Sequence, residues 1–247
     1  MPTVKGDFIL LEYTAKVKES GEIFDTSSAD VARQANIFRE NANYEPILVV
    51  LGENWVLKSL DEKLIGLEVG KKETVEIPPE KAFGFRDPSK IKSIPLKKFD
   101  TKTPLRPGME IELEGRTAVV RSVGAGRVLV DFNLPLAGRT LVYEVEVKGL
   151  LKTPLEKIRG LIHRRLPSVP PEKFGVDIRD RQVEIVVAEE ALSLEGLNLA
   201  LRGIAFDIQK FFPEIDVVQF VERYERKSVK AESGKEEPKP QSADVHM

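Results

Sequence analysis

An α+β fold is predicted for this chain of 247 residues, and three observations predict it. Apolar runs of strand length recur before residue 86, with one short amphipathic helix laid among them. A block of short strands punctuated by glycine turns follows at residues 109–132. A further stretch reads as helix, two strands, helix and strand, ahead of a polar tail. One short helix on several strands is an α+β arrangement, because each element needs a partner layer for its apolar face.

Phe8–Val17 is strand-like and is followed by the turn signal Glu19-Ser20-Gly21-Glu22. The strand signal resumes through Ile23-Phe24 into Asp25-Thr26-Ser27-Ser28. Residues 29–43 are polar, with a short helix expected near Asp30–Glu40. Pro46–Leu51 is a second apolar strand, closed by Gly52. Glu53–Leu64 reads as a helix, since Val56-Leu57, Leu60 and Leu64 recur at three- and four-residue intervals. Thr74–Ile77 is a strand with one apolar face, and Pro78-Pro79 ends its ladder because proline has no N–H to donate. Ala82-Phe83-Gly84-Phe85 then places two aromatics on a loop.

Beyond Arg86 the texture changes. Lys90–Lys98, Pro104 and Pro107-Gly108 look loop-rich, and three short strands follow at Met109–Leu113, Thr117–Val123 and Arg127–Phe132. This unit precedes a longer strand at Thr140–Gly149. Thr153-Pro154-Leu155-Glu156 has capping-box spacing with proline at the first helical position. Leu155, Ile158, Ile162 and Leu166 are expected on the buried face of that helix. A hairpin from Phe174 to Val187, a long helix over Glu189–Phe212 and a strand at Val217–Tyr224 complete the pattern. After Arg226 almost nothing is apolar, so residues 227–247 are expected to be a disordered tail.

Composition excludes several function classes. Lys+Arg 38 against Asp+Glu 40 leaves no basic excess for nucleic acid or an anionic membrane. Zero cysteines remove disulfides, thiolate metal sites and cysteine nucleophiles, and two histidines argue against a multi-histidine metal centre. Charges interrupt every apolar run before spanning length, and the N-terminus lacks a signal-peptide pattern, so a cytoplasmic protein is expected.

Several residues, in order and at sensible spacing, carry a resemblance. They are Tyr13, Phe24-Asp25 after the Gly-Glu turn, Leu51-Gly52 before Val56-Leu57, Ala82-Phe83-Gly84, and Leu141–Glu146. Together they resemble the FK506-binding-protein type of peptidyl-prolyl isomerase over residues 1–86 and 139–152. Val130–Gly138 is similar to the return segment of the SlyD-like (sensitive-to-lysis-D) subgroup, in which a small insert-in-flap β domain carries chaperone activity. The resemblance implies such an insert at 87–138, and a C-terminal α+β domain at 153–226 like that of long-type archaeal members. That subgroup commonly ends in a metal-binding tail, but here the tail has only His246, so no metal is expected.

By resemblance, Tyr13, Asp25, Phe83 and Tyr143 would act on the substrate, and Phe24, Ile47, Val56, Leu57, Leu60 and Leu136 would bind it. Leu60 stands where the best-known members place a tryptophan, and Phe83 replaces a tyrosine whose hydroxyl would bind the substrate carbonyl. The chemistry suits these residue types. Rotating an X–Pro bond crosses a barrier of roughly 18–20 kcal/mol without any bond to a nucleophile. A dry pocket that binds the twisted amide better than either planar form suffices, with no cofactor. The expected partners are unfolded or proline-containing polypeptides, and the C-terminal domain is a candidate for homodimerisation.

Simpler roles stand beside these. The pocket residues read as plain core from pattern alone, and Asp25 also has a reading as a turn cap, which does not exclude a pocket role. Trp55 is expected to pack at the helix start, and the basic stripe around His163 to be a solvated helix face. Val119, Val128, Leu129 and Phe132 are expected to form mostly the insert's own core. A second functional reading is a holdase or adaptor with a vestigial pocket.

Overall fold

The computed structural model describes residues 2–99 and 104–224; the tail expected to be disordered lies outside the described residues. The first sheet contains β1 (Phe8–Val17), β2 (Ile23–Thr26), β3 (Ile47–Val50), β4 (Lys72–Ile77) and β9 (Leu141–Leu151). Helix α1 (Ala29–Gln34) follows β2, and α2 (Lys58–Leu64) lies between β3 and β4. The strand order is β2-β1-β9-β4, with β3 pairing the start of β1, and every pairing is antiparallel.

A second sheet, of order β5-β8-β7-β6, is built from β5 (Ile91–Pro95), β6 (Glu110–Leu113), β7 (Arg116–Gly124) and β8 (Arg127–Asp131). The third combines β10 (Gly175–Arg179), β11 (Gln182–Val186) and β12 (Val217–Val221), and goes with α3 (Pro154–Arg165) and α4 (Leu197–Phe211). This is a mixed α+β architecture of antiparallel sheets and few helices, with one parallel pair between β11 and β12.

The start of β1 is buried on both faces. Ile9 and Leu11 join Val49, Leu51, Leu60, Leu64 and Val145 in the core under α2. Phe8, with Leu48 and Val50 of β3, joins Ile158, Leu161, Ile204 and Ile208 of α3 and α4. Each buried side chain of this size contributes roughly 1.5–3 kcal/mol, so the shared strands weld the C-terminal helices to the first sheet. Gly160 permits the close approach: a Cβ there would lie 2.7 Å from Leu151 Cδ1 and 3.2 Å from Leu48 Cδ2.

Several elements differ from expectation. Helix α2 begins at Lys58, not Glu53, because the buried Asp61 carboxylate accepts from Gly52 N (3.0 Å) and Asn54 N (2.8 Å). Those bonds hold residues 52–54 as a turn with Asn54 at φ 55°, and Val56-Leu57 therefore precede the helix. Helix α1 stops at Gln34, since Asn36 takes φ 56°. The helix expected over Glu189–Phe212 is broken: Gly196 at φ 78° is the N-cap of α4, and Glu189–Ser193 is a short 3-10 turn. A fourth strand, β5, occupies part of the loop expected at Lys90–Lys98 and pairs with β8. In the second sheet Val128 is buried, whereas Leu129 points outward. On α3, Leu155 is exposed and Leu161 takes its place in the core.

The basic stripe of α3 is solvated in part, as expected, with Arg164 and Arg165 exposed, but its side chains also have partners, because α3 packs on β3 and α4. Arg164 stacks on Trp55 at 3.9 Å, Arg165 Nε donates to buried Asp207 at 3.0 Å, and His163 meets Glu45. Trp55 itself packs edge-on against Phe211 of α4, 5.8 Å between centroids. Among the described residues no helix is long and apolar enough to cross a membrane.

Candidate functional site

Pairing of β1 with β2 brings Tyr13 and Asp25 together. The register sets Thr14 against Thr26 and Ala15 against Asp25. Ser27 fixes the strand end by donating its N–H to Tyr13 O at 3.0 Å and accepting from Tyr13 N on Oγ at 2.9 Å. The Tyr13 hydroxyl then donates to Asp25 Oδ2 at 2.8 Å. Tyr143 enters from β9, directly across from Ala15. Its ring lies 6.3 Å from Tyr13 and meets Phe24 edge-on at 6.2 Å. Burial, followed by the Asp25 charge, pushes the Tyr143 phenol up to about 12. Burial and the Asp25 hydrogen bond raise Tyr13 as well. Both phenols are therefore neutral near pH 7 and keep their protons for hydrogen bonding.

Two loop residues add a further wall. Beyond β4, Pro79–Lys81 forms one 3-10 turn, and Gly84, at φ 78°, donates its N–H to Pro79 O at 2.8 Å. Phe83 is held on this tight turn at 37% exposure. Ser59 of α2 ties the turn down by donating to Lys81 O at 2.9 Å. Leu136 comes from the chain returning from the second sheet, where Gly138 N donates to Gly84 O at 2.8 Å.

Tyr13, Phe24, Asp25, Ile47, Phe83, Leu136 and Tyr143 line one groove of about 770 Å³. Val56, Leu57 and Leu60 do not line it. Leu60 is only 2% exposed and belongs to the core that also holds Tyr143, with Val56 and Leu57 packed against that core. They support the groove from within. Sequence reading missed the rest of the lining, which comes from Thr26, Ser27 and residues 36–44. Phe38 and Tyr44 stack there, 5.1 Å apart at 15°, with the Arg33 guanidinium 4.5 Å over Phe38. Ile37-Phe38 and Tyr44 within a polar stretch were the available signal.

A polar neck connects the groove wall to the second sheet. Asp131, 1% exposed, pairs with Arg86 and, at 3.3 Å, with Arg121 Nε. It also accepts from Asn133 N (2.9 Å) and Nδ2 (2.8 Å). Asn133 in turn accepts from Asp87 N and donates to Asp87 O, each at 2.9 Å. Burial alone would raise the Asp131 carboxyl, but Arg86 and Asn133 outweigh it and hold it below the usual range. Outside this neck, Phe85 (72% exposed) and Leu134 (58%) stand in solvent, as do Leu96, Val123 and Leu129 of the second sheet.

An aromatic groove with two neutral phenols and one carboxylate, on a five-stranded antiparallel sheet over a short helix, defines a non-covalent binding site. Residues 2–148 match the family model described as FKBP-type peptidyl-prolyl cis-trans isomerase. The chain belongs to that family and is an isomerase by class. Residues 154–225 match a second model, described as FKBP26_C-terminal. The chain is 37% identical over 147 residues to a short-type peptidyl-prolyl cis-trans isomerase of Methanocaldococcus jannaschii, a match covering 59% of this chain and 92% of that protein. It is 24% identical to the FKBP-type isomerase SlyD of Helicobacter pylori, over 62% of this chain and 78% of that one. With the SlyD of Aeromonas hydrophila it shares 30% identity, over 63% and 68% respectively. The SlyD-like subgroup fits these similarities.

Proposed function

We propose that the chain isomerises X–Pro bonds in unfolded or partly folded polypeptides, and that the second sheet is an insert-in-flap domain that holds the client. The observation that carries this reading is the groove. It sets a carboxylate-anchored tyrosine, five further aromatics and aliphatic walls around one space, and its far wall is made by the segments that lead into and out of the second sheet. An apolar groove strips water from the bound amide. The planar amide, with its separated charge, loses more by that than the twisted one, which lowers the barrier. Asp25 orients Tyr13 by accepting its hydroxyl proton, which leaves the neutral phenol of Tyr143 as the available donor to a substrate carbonyl. The uncatalysed reaction takes tens of seconds or longer, slow enough to limit folding.

Among the described residues the second sheet has four buried apolar side chains in its core, Ala118, Val120, Val128 and Val130, and leaves Leu96, Val123 and Leu129 exposed. That surface suits transient capture of apolar client segments. Capture beside the groove raises the effective concentration of proline bonds there.

Two measurements test the reading. The wild-type chain should accelerate isomerisation of a short proline peptide, and Tyr13→Ala and Asp25→Ala should lower the rate. A chain that suppresses aggregation yet leaves the peptide rate at the uncatalysed value is a holdase instead. Second, deletion of residues 87–137 should spare peptide turnover and remove most acceleration of proline-limited protein refolding. The cut ends are already adjacent, since a Cβ on Gly138 would lie 3.3 Å from Arg86 Cβ. Equal loss of both activities would make the second sheet purely structural.

A further inference from the structure

The groove reaches beyond the residues around Tyr13 and Asp25 to the 36–44 segment. That segment contains no regular helix or strand beyond α1, and its own bonds are few. Arg39 N donates to the Tyr44 hydroxyl at 2.9 Å, and Ala42 N to Arg39 O at 3.2 Å. Ile37 N donates to Ala32 O at 3.0 Å and Asn36 N to Arg33 O at 3.2 Å, which tie its start to α1, and the anchors of residues 43–45 come from the C-terminal unit. Asn43 Nδ2 donates to the carbonyl of Pro167, just beyond α3, at 2.9 Å. His163 of α3 lies with Nε2 2.7 Å from Glu45 Oε1. A carboxylate accepts, which places a proton on Nε2. Helix α3 also packs on Leu48 and Val50 of β3, the strand whose first residue, Ile47, lines the groove.

We propose that the C-terminal unit is a positioning element for the substrate groove: His163 and the Pro167 carbonyl hold residues 43–45, and with them the Phe38–Tyr44 pair, as a platform for the part of the client beyond the proline. The platform's chemistry, two stacked rings with an arginine over one of them, suits an aromatic or large aliphatic client side chain. His163 is thus a positioning residue that acts through Glu45, and it touches neither proline nor amide. The proposal rests on the isomerase reading for its substrate, and its test separates the two.

The test compares the full chain with His163→Ala and His163→Gln, because a glutamine amide can still donate to Glu45. Three readouts are taken: KM and kcat for a proline peptide with phenylalanine beside the proline, calorimetric Kd for the same peptide, and amide exchange across residues 38–45. Loss of one hydrogen bond of ordinary strength should raise KM and Kd about fivefold in His163→Ala, with kcat near wild type. Exchange at Arg39 and Ala42 should quicken, and His163→Gln should restore all three. Unchanged KM and Kd in His163→Ala overturn the proposal. So does a joint fall in kcat and thermal midpoint that glutamine does not rescue. A wild-type chain that binds the peptide without accelerating it refutes the isomerase reading alone, and the Kd comparison still decides the proposal. A wild-type chain that binds no proline peptide overturns both.

Discussion

Asp131→Ala isolates the neck between groove and second sheet. The carboxylate is 1% exposed and gathers Arg86, Arg121 and both Asn133 donors, so the alanine leaves several donors without an acceptor. Breaking a buried ion pair by removing one partner typically costs about 3–5 kcal/mol. Arg86 and Arg121 are 29% and 45% exposed and can recover water, which brings the expectation down to about 2–3 kcal/mol. That is large for a sheet whose core, among the described residues, holds four buried apolar side chains. Urea unfolding followed by amide exchange should therefore show the second sheet opening first, at Val120 and Val130, while Ile9 and Val145 stay protected. Peptide turnover should remain near wild type, and protein refolding activity should fall towards that of the deletion. The effect also has a pH signature. The Asp131 pKa is depressed on folding, so its stabilisation is complete above the unfolded value of about 3.9 and is lost as pH falls through the lower folded value. The gap between wild type and variant should be constant from neutral pH to about 4 and close below that. A single transition at the wild-type midpoint, or equal loss of both activities, would refute the reasoning.

Two further outcomes follow from the groove. Phe83→Tyr adds a donor beside Tyr13 and Asp25 and should raise kcat/KM for a proline peptide about fivefold; an unchanged or lower value would show that the position offers the substrate no hydrogen bond. Tyr143, pushed up to about 12, should ionise in the folded chain only near that pH, as read from phenolate absorbance. Because the folded pKa is raised, its stabilising contribution is complete below the unfolded value of about 10 and is lost as pH rises towards 12. Tyr143→Phe should reduce that alkaline slope and leave the part that belongs to Tyr13, whose phenol is raised as well, and an unchanged slope would show that Tyr143 contributes none of it.

Features encoded within a few residues were legible in the sequence. The Thr153–Glu156 capping box forms as spaced, with Glu156 N donating to Thr153 Oγ1 at 3.2 Å and Thr153 N to Glu156 Oε2 at 2.9 Å. Val75 and Ile77 alternate with exposed neighbours and lie in the core as the pattern demands. The unbroken runs Phe8–Leu11 and Ile47–Val50 carried more than strand propensity. A strand covered on both faces has no reason to alternate, and both runs lie between two cores. Helix limits were less legible. A periodic run at 53–57 cannot announce that Asp61 will take the amides of Gly52 and Asn54, nor can the run at 189–212 announce a left-handed Gly196.

The sequence by itself determined the mixture of strands and helices, the turn at Phe83 and the family motif, because hydrogen bonds, caps and side-chain periodicity act over a few residues. Only the tertiary structure decided what those parts do together. Residues from β1, β2, β3, β9 and three loops converge on one groove, Leu60 lies in the core instead of lining it, and α3 grips the groove's loop through His163 and Glu45. Contacts between such distant residues depend on which faces the sheets and helices bury against each other, and one-dimensional periodicity names a buried face without naming its partner.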